Sequence, residues 1–294
     1  MAIEPGALPE GVLRAYLDRL GIEAAPPSFE ALRLLHRRQV ERIPYETLWI
    51  HAGEVWNVDP QQSATRIALD GRGGYCYHLN GAFAEVLASL GYLVRRHVGS
   101  VYANGMADAD ALGNHAVLTV DGLPTEDNPS GLWYVDVGLG DALYEPLPLA
   151  PGSHRQEPFG LTLERHDASA DEWQLIHDPA GGFVRMQWNT AAVTMDVFGD
   201  KHRWLSTSPD SGFVRVAMAE RRDAAGVDVI RGLVLTRVGA GAGPPEVLTR
   251  RPDWFAALAD VFDLTFDASE PEVRDVLWTR VLASHRAWEA DART

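Results

Sequence analysis

The chain has 294 residues, 46% of them hydrophobic and 23% charged, a balance that excludes wholesale disorder and allows one large domain or two to three small ones. The net charge of −15 argues against nucleic acid and acidic membrane surfaces as partners, because their phosphates would be repelled. One cysteine, Cys76, excludes an intrachain disulfide and a zinc site built on several thiolates. Residues Met1 to Gly6 carry neither a basic stretch nor an apolar run, and no segment is apolar for long enough to span a bilayer. The expectation is a soluble cytoplasmic protein with no metal.

Leu8, Val12, Leu13, Tyr16 and Leu20 recur at helical spacing, and Gly21 offers a stop. Ser28 is the expected N-cap of a second helix with Leu32, Leu35 and Val40 on one face, ended by Ile43-Pro44. A third helix is predicted from Cys76, with an apolar stripe of Leu79, Phe83, Val86, Leu87 and Leu90 before Gly91. The character then changes. Leu93 to Val101, His115 to Val120 and Trp133 to Val137 read as short strands between turn-rich segments. Trp173 to Ile176, Phe183 to Trp188, Phe213 to Ala219 and Ile230 to Val238 read as further strands. The stretch Gly239 to Pro245 is a flexible loop, since a nucleotide-binding loop would run into a helix. Pro252 to Phe262 and Glu270 to Trp288 are helical again. Helices, then an antiparallel β region, then a mixed end make an α+β chain, without βαβ alternation.

Cys76 follows Gly71-Arg72-Gly73-Gly74-Tyr75 and opens the third helix. In a first helical turn, free N–H groups and the macrodipole favour a thiolate and could hold an oxyanion. A free cysteine is equally at home as a buried apolar residue, so this segment alone leaves both readings open. A nucleophilic thiol needs a base and a group to orient it. His78 is adjacent, but residues two apart on a helix point in different directions. His115 opens an apolar strand, and Asp136 lies in Leu132-Trp133-Tyr134-Val135-Asp136-Val137. A carboxylate buried there needs a partner, and an imidazole N–H would serve; pointed at solvent, it would need none. His-Glu-x-x-His, Gly-x-Ser-x-Gly and P-loop patterns do not occur.

Four segments resemble the arylamine N-acetyltransferase family. They are Glu41 to His51 with its Ile43-Pro44-Tyr45-Glu46 centre, Arg72 to Cys76, Val135 to Gly140, and Ser206 to Phe213, in family order. The resemblance implies an N-terminal helical bundle, a central antiparallel β-barrel and a C-terminal α/β lid around a cysteine-protease-like (transglutaminase-like) core. The expected parts are 1–92 with Cys76, 93–205 with His115 and Asp136, and 206–294 as the lid. It also implies a catalytic Cys76–His115–Asp136 triad and ping-pong acetyl transfer from acetyl-CoA to an arylamine, hydrazine or similar amine. Gly138, Leu139 and Gly140 are the implied CoA contacts through their turn amides. Tyr45, Tyr75 and Leu139 are the expected substrate-pocket residues. His78 stands where the family usually has glutamate, Leu139 where it has phenylalanine, and the His115–Asp136 spacing is longer than usual. The runner-up is a related amide synthase drawing its acyl chain from an acyl carrier protein. A cysteine hydrolase with the same triad comes third.

Overall fold

In the computed structural model, which describes residues 8–105, 107–166, 171–266 and 271–291, the chain begins as a set of helices. α1 (Glu10–Leu20) ends at Gly21, whose φ of 67° is left-handed. α2 (Phe29–Arg42) starts at Ser28, whose hydroxyl accepts from the Ala31 amide at 3.1 Å. The two-residue strand β1 (Tyr45–Glu46) follows, then α3 (Leu48–Ala52) and α4 (Pro60–Leu69). Neither of these helices is among those expected from the sequence. α4 carries an Asp59 cap and a proline in its first turn, and buries Ser63, Ala64 and Ile67 on one face. α5 (Cys76–Ser89) departs from the expected one-sided stripe, because every residue from Cys76 to Ala88 is buried. α4 packs on one side of it and strands on another, and such a helix belongs in the interior.

The β region contains β2 (Leu93–Tyr102), a short α6 (Asp108–Ala111), β3 (His115–Asp121), β4 (Trp133–Val135), β5 (Leu147–Pro148), β6 (Gly152–Gln156), β7 (Phe159–Arg165), β8 (Glu172–Ile176) and β9 (Arg185–Asn189). These strands form one antiparallel sheet in the order β5-β4-β3-β2-β9-β8-β7-β6, curled into a nearly closed barrel. β3 is buried on both faces. Ala116, Leu118 and Val120 join the core shared with the helices, whereas Val117 joins the barrel interior with Leu161, Leu163 and Trp188.

The remainder is α7 (Gly199–Thr207), α8 (Gly212–Arg215), β10 (Met218–Arg222), β11 (Gly226–Arg231), β12 (Val234–Gly239), β13 (Glu246–Val247), α9 (Arg251–Phe262) and α10 (Pro271–Asp291). Two expected strands are corrected here. Phe213 to Ala219 begins as a helical turn, because Ser211 caps it by accepting from the Phe213 amide. Ile230 to Val238 is a hairpin and not one strand, turning at Gly232 with φ 59°. The α+β architecture itself is the one expected: helical bundle, antiparallel barrel, C-terminal α/β part.

Packing crosses between these parts. Met195, Phe198 and Leu205 belong to the core around α5. β1 is an edge strand of the C-terminal sheet, ordered β1-β10-β11-β12-β13, with Tyr45 opposite Glu220. One face of that sheet, with Ala219 and Ile230, packs on Trp254, Leu258 and Leu277; Val227, Val229 and Val238 on the other face meet the barrel.

An ion pair joins two of the family-like segments. Arg72 donates to Glu46 at 3.2 Å and to Glu54 at 2.8 Å, between the rings of Trp56 and Phe266. Glu46 is fully buried, and its other oxygen accepts from the Leu48 amide at 2.7 Å. Removing one partner of such a pair strands the other charge, at about 3–5 kcal/mol. Arg72→Met is therefore expected to lose stability of that order in urea unfolding; a loss below about 1 kcal/mol would show that the pair is solvated.

Candidate active site

Cys76 is the first residue of α5, placed by the turn before it. The Glu46 amide donates to Gly74 O at 2.9 Å, and a Cβ on Gly73 would overlap the Pro44 carbonyl oxygen. The sulfur is nearly buried and lies 3.3 Å from Asn114 O. It is also in hydrogen-bonding contact with His115. The other side of that imidazole is committed, since Nε2 lies 2.7 Å from Asp136 Oδ2. This leaves Nδ1 for the sulfur. Burial opposes charge on His115, but Asp136 and Cys76 outweigh it and push its pKa up to about 10.

Asp136 is 1% exposed, and both its oxygens are filled. Besides His115, Oδ2 accepts from Tyr134 Oη at 3.0 Å, and Oδ1 accepts from Asn80 Nδ2 at 2.7 Å and the Gly138 amide at 3.0 Å. Sequence reasoning missed Asn80 and Tyr134 as holders of the acid. The signal was spacing: Asn80 stands four residues after Cys76, on the same helical face, and Tyr134 two before Asp136. Asn80 also donates to Ala116 O at 2.6 Å and accepts from the Val137 amide at 2.9 Å. His36 was missed as well. Its ring lies 3.1 Å from both Asp136 O and Tyr144 O, and burial pushes it down to about 4. As a neutral ring it donates to one of the two carbonyls.

The structure thus unites Cys76, His115 and Asp136. The other expected residues are spread around them. Gly138 packs on Cys76: a Cβ there would stand 2.7 Å from the Cys76 Cα and 2.8 Å from Asn80 Nδ2. Gly140, with φ 76°, packs on Glu220, and Leu139 leans on the barrel core. Tyr45 is buried within electrostatic reach of Cys76 and Glu220. Tyr75 is fully buried, with its hydroxyl 2.6 Å from His202 Nδ1 and its ring against Trp49. His78 sits among Trp49, Trp56, Tyr75 and His202, and burial with Arg66 nearby holds it well below its ordinary pKa.

A cavity of about 430 Å³ lies between the barrel and the C-terminal sheet, lined by Phe159, Val229, Thr236, Asp141, Glu220 and Trp288 among others. Tyr45, Tyr75 and Leu139 are not in its lining. Burial, with Asp141 beside it, pushes the Glu220 carboxyl up to about 8 despite Arg231. Among the described residues no cluster of three or more His, Cys, Asp or Glu side chains is placed to hold a metal ion, and no helix is long and apolar enough to cross a membrane.

A family model described as N-acetyltransferase matches residues 28–270. The arylamine N-acetyltransferase of Mycobacterium bovis is 34% identical over 252 residues, covering 73% of this chain and 85% of the relative. An arylamine N-acetyltransferase / N-hydroxyarylamine O-acetyltransferase of Salmonella typhimurium is 34% identical over 150 residues, and the chain spans about half of it (51%), with 50% of this chain matched. Proansamycin X synthase of Amycolatopsis mediterranei is 30% identical over 183 residues, 56% of this chain and 66% of the synthase. The solved structure of Mycobacterium marinum arylamine N-acetyltransferase in complex with CoA superimposes with a TM-score of 0.79 at 27% identity, covering 92% of this chain and 99% of that one. Fold and relatives together define an acyltransferase. The chain belongs to the arylamine N-acetyltransferase family.

Two predictions follow from the packing. Gly138→Ala should press on the Cys76 backbone and cost about 1–3 kcal/mol in chemical denaturation; a neutral change would mean that the turn yields freely. Glu220 keeps its proton up to about 8 in the fold, whereas an ordinary glutamate releases it near 4.5. Over that interval the folded chain binds more protons, so stability falls as pH rises. Glu220→Gln should therefore raise Tm more at pH 8 than at pH 5. Equal gains would mean that the carboxyl is ionised in the fold.

Proposed function

We propose that the chain transfers an acetyl group from acetyl-CoA to the nitrogen of a small arylamine, hydrazine or similar amine, by a ping-pong route through acyl-Cys76. The observation that carries the reading is the contact chain from Cys76 to His115 to Asp136, with every Asp136 lone pair engaged. His115 holds its proton at neutral pH, and in this route Cys76 attacks as the thiolate partner of that imidazolium. The thiolate attacks the thioester carbonyl. The first-turn amides of Cys76 and Tyr77, which have no acceptor within the helix, stabilise the oxyanion. His115 gives its proton to the departing CoA sulfur, leaving acyl-Cys76 and a neutral imidazole. An amine then attacks the acyl carbon, His115 takes its proton, and the Cys76 thiolate leaves. Arylamines suit this step because they are largely neutral at pH 7.

The Gly138 amide is already spent on Asp136, so Leu139 and Gly140 supply the turn's remaining N–H groups for CoA. The likeness to proansamycin X synthase supports a second reading, amide synthesis from a longer, carrier-bound acyl chain. Turnover of acetyl-CoA with a simple arylamine separates the two: its absence despite an acylatable Cys76 favours the synthase.

Mixing the protein with acetyl-CoA alone should add one acetyl group, seen by intact mass and mapped to Cys76, and Cys76→Ala should abolish it. An adduct on any other residue would falsify the mechanism. Asp136→Asn should slow transfer by about 10³–10⁴-fold, because the amide sets the wrong His115 tautomer. Near-wild-type rates would reduce Asp136 to a structural acid.

A further inference from the structure

The cavity between the barrel and the C-terminal sheet is apolar along most of its wall. Strand alternation sends Val227, Val229, Val234 and Val238 into it, and Phe159 closes the barrel side. Its inner end is different. Glu220 lines the cavity with its side chain half-buried, and among the described residues no hydrogen bond to its carboxyl is found. Asp141 beside it accepts from the Gly182 amide through Oδ2 at 2.6 Å, and its Oδ1 lies 3.2 Å from His177 Nε2. Arg231, the cation nearest to Glu220, is exposed to solvent. A carboxyl open to an apolar-walled cavity and without a protein donor is a vacancy that a ligand N–H fills.

The location of this vacancy links it to the sulfur. Gly138 packs on Cys76 and Gly140 on Glu220, and two residues of chain reach at most about 7 Å. Glu220 is also the cross-strand partner of Tyr45, which lies within electrostatic reach of Cys76. Glu220 therefore lies within one substrate's length of Cys76, although the sulfur itself is not part of the cavity lining.

We propose that Glu220 sets acceptor specificity by receiving a cationic N–H group at the far end of an aromatic amine. This rests on the acyl-transfer reading above and narrows its acceptor class to ring amines carrying a second, charged nitrogen function such as an amidine. The valine and phenylalanine wall takes the ring, and the Glu220 carboxyl, protonated up to about 8 in the fold, releases its proton as it pairs with the cation. The chain's charge of −15 draws such cations toward it.

The test compares three amines of similar shape with acetyl-CoA as donor: 4-aminobenzamidine, the neutral 4-aminoacetophenone and the anionic 4-aminobenzoate. Wild-type protein should prefer the amidine. In Glu220→Gln the amidine-to-ketone ratio of kcat/KM should fall by about tenfold or more, mainly through KM, and Glu220→Asp should retain most of the preference. An unchanged ratio in Glu220→Gln would overturn the assignment. So would wild-type preference for the benzoate, which decides the matter even if the glutamine variant fails to fold. The two readings fail separately. Acetylation of Cys76 without discrimination among the amines sinks the Glu220 assignment alone, whereas failure of Cys76 to accept acetyl sinks the acyl-transfer reading.

Discussion

A carboxylate with almost no access to water organises this molecule. Asp136 needs donors for its lone pairs, because an unpaired buried charge would cost several kcal/mol. Its four donors come from α5, β3, β4 and the turn that follows β4. None of these segments can shift without releasing a bond to the charge. Asn80 extends the constraint by bridging Ala116 O and the Val137 amide, so helix and sheet are tied through backbone as well. His36 adds a contact to the Asp136 carbonyl from α2. Precision at the sulfur is thus a by-product of satisfying one acid.

The same acid explains why identical rings differ in charge. His36, His97 and His115 are all buried, and burial alone disfavours an imidazolium. His36 and His97 face carbonyl and hydroxyl oxygens and are pushed down to about 4. His115 faces a full carboxylate and the thiol, and is pushed up instead. Dipoles do not offset the loss of hydration for the first two; a formal charge does for the third. Position relative to Asp136, not depth, separates the scaffold histidines from the reactive one.

Much of this could be read from residue order. Gly21 and Ser28 mark the limits of α1 and α2 because a left-handed stop and a side-chain cap are local devices. Cys76, His115 and Asp136 stood out because each was chemically conspicuous where it lay. What escaped was set by contacts distant in sequence. α4 turns inward a face of Ser63, Ala64 and Ile67, small and partly polar, and α5 is buried all round only because other elements close on it. Asn80 and Tyr134 look ordinary until the strand and helix that carry them meet. β1 could not be read as a strand, since two residues carry no period and its partner β10 lies far along the chain. Glu220, in a charged stretch of β10, gave no hint that its carboxyl ends in a cavity.

The short strand β1 limits how the C-terminal sheet can move. Tyr45 and Glu46 hydrogen-bond to β10 on one side, and the Glu46 amide holds Gly74, two residues before the cysteine, on the other. The C-terminal sheet is consequently anchored to the cradle of the nucleophile, and swinging it away as a hinged cover would tear that cradle apart. Any opening of the cavity that leaves the cradle intact falls at its other rim, bordered by the Gly181–Gly182 bend and the end of α10 around Trp288.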